Sequence, residues 1–98
     1  MKTYLCKWIP PRPDFLATMS DDEKRWMGQH GAFQNDLLDE GVIIAHGPVI
    51  DDNGGYGVSI YRIADQEEIA DFTSQDPIVK NGVGHYEHFT MLHVTSKF

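Results

Sequence analysis

At 98 residues, 41% hydrophobic and 23% charged, the chain has the length and balance of one soluble globular domain spanning 1–98. Fifteen acidic against eight basic residues give a formal charge of −7, with no basic run longer than Lys24-Arg25; this argues against nucleic acid and anionic membrane surfaces as partners. One cysteine, Cys6, permits no internal disulfide, and neither a signal-peptide core nor a stretch near the roughly 18 apolar residues of a membrane span is evident, so a cytoplasmic protein is expected.

KTYLCKWI (2–9) is rich in β-formers and reads as a strand. It stops at Pro10-Pro11, and PPRPDFLATM follows as a loop longer than a connector needs, a length that often carries function. Ser20 with Glu23 forms a capping box, so a helix opens there, runs to about Glu40 and ends at Gly41. Gly28 and Gly31 are unusual in its interior and flank His30, which suggests a packing or access role, or a close approach of helix to sheet.

VIIAHGPVI (42–50) is a second strand, interrupted at Gly47-Pro48; proline there implies an edge, a bulge or a strand end. Asn53-Gly54 makes the hairpin turn and YGVSIYRI (56–63) returns. A second helix is expected with Asp65 as N-cap and Glu68 three residues on, burying Ile69, Phe72 and Thr73 and ending before Asp76-Pro77. PIVKNGVG reads as a connector and HYEHFTMLHVT (85–95) as the last strand.

The order is β-α-β-β-α-β, the ferredoxin-like α+β pattern: a four-stranded antiparallel sheet with two helices on one face. In the first strand Tyr4, Cys6 and Trp8 lie at one parity and Leu5 and Ile9 at the other, so both sheet faces want cover. The helices cover one face; a second subunit's sheet is the simplest cover for the other.

Trp26, Phe33 and Leu37 recur at helical spacing, and His30 falls on the same stripe. A polar ring there is either satisfied by a partner or used. Trp8, Trp26 and Phe33 are candidate flat walls for a ring-shaped substrate. His85, Glu87 and His93 share one strand parity, and two neighbours among them could join His46 in a metal site, but without a strong spacing signature they read as a polar sheet rim or dimer contact, and no metal is expected. Cys6 reads as buried core. No phosphate loop, dinucleotide fingerprint or nucleophile elbow is present, so no cofactor is expected.

His30 on the first helix, Ala45-His46-Gly47-Pro48 closing the second strand, and Asp76-Pro77 followed by Val79-Lys80-Asn81-Gly82-Val83 resemble the YCII-related family over about residues 2 to 95. The resemblance implies a dimeric α+β barrel and a His-Asp pair, here His30 and Asp76, in a pocket that Gly47 and Pro48 help to shape. It implies lyase chemistry on hydroxylated, halogenated aromatics for some members. An arginine frequent three residues before the histidine is Met27 here, which removes the obvious anchor for a substrate anion; Arg12 and Arg25 are the alternatives.

A carboxylate bonded to one imidazole nitrogen fixes the tautomer and leaves the other nitrogen to take or give a proton. The expected function is therefore a cofactor-independent lyase or isomerase, with His30 as general base or acid and Asp76 orienting it, acting on a small cyclic or aromatic compound. The competing expectation is a non-catalytic small-ligand-binding or accessory subunit of the same fold. A homodimer is expected in either case, with further assembly left open.

Overall fold

A computed structural model describes residues 1–97. Phe98, the last residue of the expected 1–98 domain, lies outside the described residues. The elements run β1 (Lys2–Ile9), α1 (Phe15–Thr18), α2 (Asp21–Asp39), β2 (Ile43–Val49), β3 (Tyr56–Ile63), α3 (Ile69–Thr73), α4 (Pro77–Lys80) and β4 (His85–Met91). All pairings are antiparallel and the sheet order is β2-β3-β1-β4. Among the described residues, no helix is long and apolar enough to cross a membrane.

The predicted capping box opens α2: Ser20 accepts from the Glu23 amide and the Glu23 carboxylate accepts from Ser20 N. The strand β2 continues through Gly47-Pro48 rather than stopping there. It is an edge strand, so the missing proline N–H costs no ladder bond, and its irregularity falls between Ile43 and Ala45.

Four expectations need correction. The segment PPRPDFLATM is not all loop: it holds a short helix, α1, with Phe15 buried. Asp65 does not cap the second helix; it pairs with the N-terminal amine at 2.9 Å, and helix α3 starts only at Ile69. The connector PIVKNGVG holds a helical turn, α4, with Asp76 as its N-cap and Pro77 at the first position, where a missing N–H is harmless. The last strand ends at Met91, not Thr95. Met91 pairs with Thr3, one residue from the start of β1, so the partner strand runs out. His93 therefore lies beyond the strand. Among the described residues no group of three or more His, Cys, Asp or Glu comes together as a metal site would require.

The register puts Tyr4, Cys6 and Trp8 with Ser59, Tyr61 and Ile63 on the face that the helices cover. Two clusters fill this layer. Cys6, Ile43, Tyr61, Ile63 and Ile69 form one; Trp8, Phe15, Ile78 and Val83 form the other. Burial pushes the Cys6 thiol up to about 12, so it packs as a small hydrophobe and is no nucleophile at neutral pH. The candidate site residues gather beside the second cluster, which shares Trp8 and Phe15 with the cavity lining.

Candidate functional site

His30 sits at a seam on α2. At about 100° per residue, Trp26, Phe33 and Leu37 lie on one side of it and Met27, Gly31 and Gln34 on the other. Trp26 packs on the second cluster and Leu37 on the first. Met27, Gly31 and Gln34 line a cavity of about 410 Å³, within the range of small-molecule sites, and Met27 also packs on the second cluster. So the apolar stripe is real, and the histidine stands at its edge, 7% exposed, with one side of the ring toward open space.

Asp76 reaches it from the start of α4, which packs against α2. His30 Nδ1 lies 2.6 Å from Asp76 Oδ2. The same oxygen accepts from the Tyr86 hydroxyl at 2.7 Å, while Oδ1 accepts from the Ile78 amide at 3.1 Å and caps the helix. The carboxylate is fully buried, and three donors satisfy it, as a buried charge requires. Burial, together with the Asp76 charge, pushes Tyr86 well above the ordinary tyrosine range, so its hydroxyl keeps its proton and donates. With Nδ1–H donated to Asp76, a neutral His30 ring carries its lone pair on Nε2. Nε2 has no hydrogen-bond partner among the described residues, is not sealed, and opens toward the cavity.

Trp8 forms the wall beside the ring. Its ring centroid is 5.7 Å from that of His30 and 5.5 Å, edge-on, from that of Phe15, and its Nε1 donates to the Val83 carbonyl at 3.2 Å. The loop after β1 forms the rim with Pro10, Pro13 and Leu16. Two devices hold it. The Arg12 guanidinium forks onto both Glu23 oxygens at 2.7 and 2.9 Å and onto Thr18, and holds the Glu23 carboxyl at about 2. Gly54 of the β2–β3 turn comes so close that a Cβ there would lie 2.0 Å from the Pro13 carbonyl oxygen, and its φ of +106° suits only glycine.

Of the residues read from sequence, the structure brings together His30, Asp76, Trp8, Gly47 and Pro48. Trp26 and Phe33 do not line the cavity: both lie on the far side of the seam, Trp26 against the second cluster. Arg12 is committed to Glu23, and Arg25 pairs with Asp22 away from the cavity. A Cβ on Gly28 or Gly31 would meet nothing within 4 Å, so close helix–sheet approach is not their reason. Gly31 borders the cavity; nothing in the structure explains Gly28. Tyr86, bonded to Asp76, and Gln34, lining the cavity, belong to this candidate site and were missed by the sequence reading. Tyr86 could have been found from parity, since it alternates with His85 and Glu87 and so faces the helices.

His46 also lines the cavity, from β2, and its Nε2 lies 2.8 Å from Asn35 Oδ1. Burial, and repulsion from the His30 ring when that is charged, hold His46 below the ordinary histidine range; burial alone does so for His88. The folded chain therefore binds fewer protons on these rings than the unfolded chain once the pH drops below about 6.5. Their neutral forms support the fold fully above that pH, and the support is lost as the pH falls. In urea titrations at about pH 7 and pH 5.5, stability is expected to fall on acidification and His46→Gln to shrink the fall. An equal fall in the variant would contradict the His46 assignment.

The YCII-related domain matches residues 3–93. Among solved structures, the fold is similar to 5-chloro-2-hydroxyhydroquinone dehydrochlorinase from Burkholderia phenoliruptrix AC1100, solved in complex with 2,5-dihydroxybenzoquinone. That likeness has a TM-score of 0.62 at 18% identity, over 96% of each chain. No curated protein matches the chain as a relative. With the domain match spanning nearly its whole length, the chain belongs to the YCII-related family.

Proposed function

We propose that the chain is a cofactor-independent lyase or isomerase acting on a small cyclic or aromatic compound. His30 is the general base or acid and Asp76 its orienting partner. One observation carries this reading: a histidine anchored through Nδ1 on a buried carboxylate presents an unoccupied Nε2 to a largely apolar cavity. A histidine serving only the fold would have both ring nitrogens occupied by protein.

In an elimination, Nε2 takes a proton from the substrate. The freed electron pair forms the new double bond, and a halide or other leaving group departs with its own pair. The imidazolium so formed is stabilised by Asp76, which Tyr86 and the Ile78 amide hold in place. Trp8, Pro48 and the rim give the ring a largely apolar surround. The dehydrochlorinase of similar fold supports elimination as the reaction class. The test is a panel of chlorinated dihydroxy- and trihydroxybenzenes, with chloride release followed for wild type, His30→Gln and Asp76→Asn. Release that disappears with His30→Gln is expected. Binding without release, or release independent of His30, would favour a ligand-binding subunit.

The proposal includes a homodimer. The sheet face away from the helices carries Leu5, Val58, Ile60, Phe89 and Met91 in register, and Phe89 is 47% exposed. Such a face is suited to burial against its own copy. Lys7 and Glu87 lie side by side on it, so it holds both charge signs. Light scattering is expected to give twice the 11.1 kDa chain mass, and Phe89→Glu to give the monomer. A wild-type monomer at micromolar concentration would contradict it.

A further inference from the structure

One helical turn beyond His30, Gln34 is only 6% exposed and lines the same cavity. Its amide carries two donors and an acceptor, yet it makes no hydrogen bond among the described residues, and its nitrogen and oxygen are not sealed. Water can satisfy these atoms only while the cavity is open, so a ligand that fills it must replace those hydrogen bonds or leave the amide unpaired. The space these atoms open into is the cavity.

The other lining residues narrow what the amide can meet. Among the described residues no lysine or arginine lines the cavity, so a carboxylate or phosphate would be buried with no permanent counter-charge. His46 is tied through Nε2 to Asn35. The walls are the apolar rings and chains of Trp8, Phe15, Met27 and Pro48. Side chains at i and i+4 have Cβ atoms about 5–6 Å apart, and oxygens at opposite positions of a six-membered ring are separated by a similar span.

We infer that Gln34 is a specificity-determining residue: it hydrogen-bonds a second, uncharged oxygen, hydroxyl or carbonyl, on the ring compound whose first oxygen faces His30. The inference rests on the proposed role of His30 and adds a requirement to it. The preferred substrate is a ring oxygenated at both ends. A ring with a single oxygen leaves the amide desolvated and unpaired, and is rejected for that reason.

The test uses two probes of one shape, hydroquinone and 4-methylphenol, titrated under reducing conditions. Histidine ring signals of wild type, Gln34→Met and Gln34→Leu are followed by NMR. Both substitutions replace an unpartnered amide by apolar atoms, and the amide fingerprint spectrum checks that each folds. Wild type is expected to bind hydroquinone about tenfold or more tightly than 4-methylphenol, and the variants to bring the two within about twofold. If the variants keep the wild-type preference while both probes still shift the His30 signal, the Gln34 assignment is overturned and the His30 reading stands. If neither probe shifts the His30 signal, the cavity is not a site for such rings, and both fall together.

Discussion

Replacing Asp76 by asparagine is expected to lower turnover by about 10²–10⁴-fold while ligand affinity changes only a few-fold. The substitution keeps the shape and keeps one acceptor, so the Ile78 amide stays capped. The new NH2 group then occupies the place of Oδ2, where His30 Nδ1 and the Tyr86 hydroxyl both donate in the native chain. The clash is relieved when His30 moves its proton to Nε2 and accepts at Nδ1. The nitrogen facing the cavity then carries a proton and can no longer receive one in the neutral ring. The fold is expected to lose about 1–3 kcal/mol, while the activity loss represents about 3–5 kcal/mol. The measurement is single-turnover kinetics against binding by titration, since only the split between the two separates a misdirected base from a damaged pocket.

The largest expected stability effect lies at Trp8. Trp8→Ala is expected to cost about 3–5 kcal/mol, against a total of about 5–15 kcal/mol for a domain of this size. The ring is 3% exposed and joins the second core cluster to the site wall. It lies so close to Gly84 that a Cβ there would be 2.8 Å from two ring atoms. Its removal opens a void between Phe15 and His30 and leaves the Val83 carbonyl without its indole donor. Trp8→Phe retains most of the packing and loses that hydrogen bond, so a loss of about 1–2 kcal/mol is expected. Urea denaturation measures both. A loss under about 1 kcal/mol for Trp8→Ala would mean that the wall collapses onto the cavity at little cost.

Much of this architecture was legible from residues alone, because local rules and tertiary packing agree there. Ser20 and Glu23 cap α2 as their spacing says, and Pro48 sits on an edge strand as its missing N–H demands. The failures are tertiary. Asp65 has the chemistry of a helix cap, but the N-terminal amine, brought near by the β1–β3 pairing, takes it instead. The last strand looked longer because its β-rich sequence continues past the point where β1 can pair with it. Trp26 and Phe33 looked like substrate walls because helical spacing identifies a stripe but not which side of its edge faces a cavity. Gln34 gave no sequence signal: a glutamine on a helix is ordinary, and only burial without a partner makes it notable. His30 was legible as a polar ring on an apolar stripe. Asp76 became its partner only through the family resemblance, since its local pattern reads equally well as the helix cap that it also is.

The central claim is that Asp76 holds His30 with its lone pair on Nε2, open to the cavity. The direct measurement is the ¹⁵N spectrum of the histidine rings in wild type and Asp76→Asn near neutral pH, with His30 assigned through His30→Gln. An Nδ1–H tautomer is expected for neutral His30 in wild type and an Nε2–H tautomer in Asp76→Asn. Nε2–H in the wild type, or the same tautomer in both proteins, would contradict it.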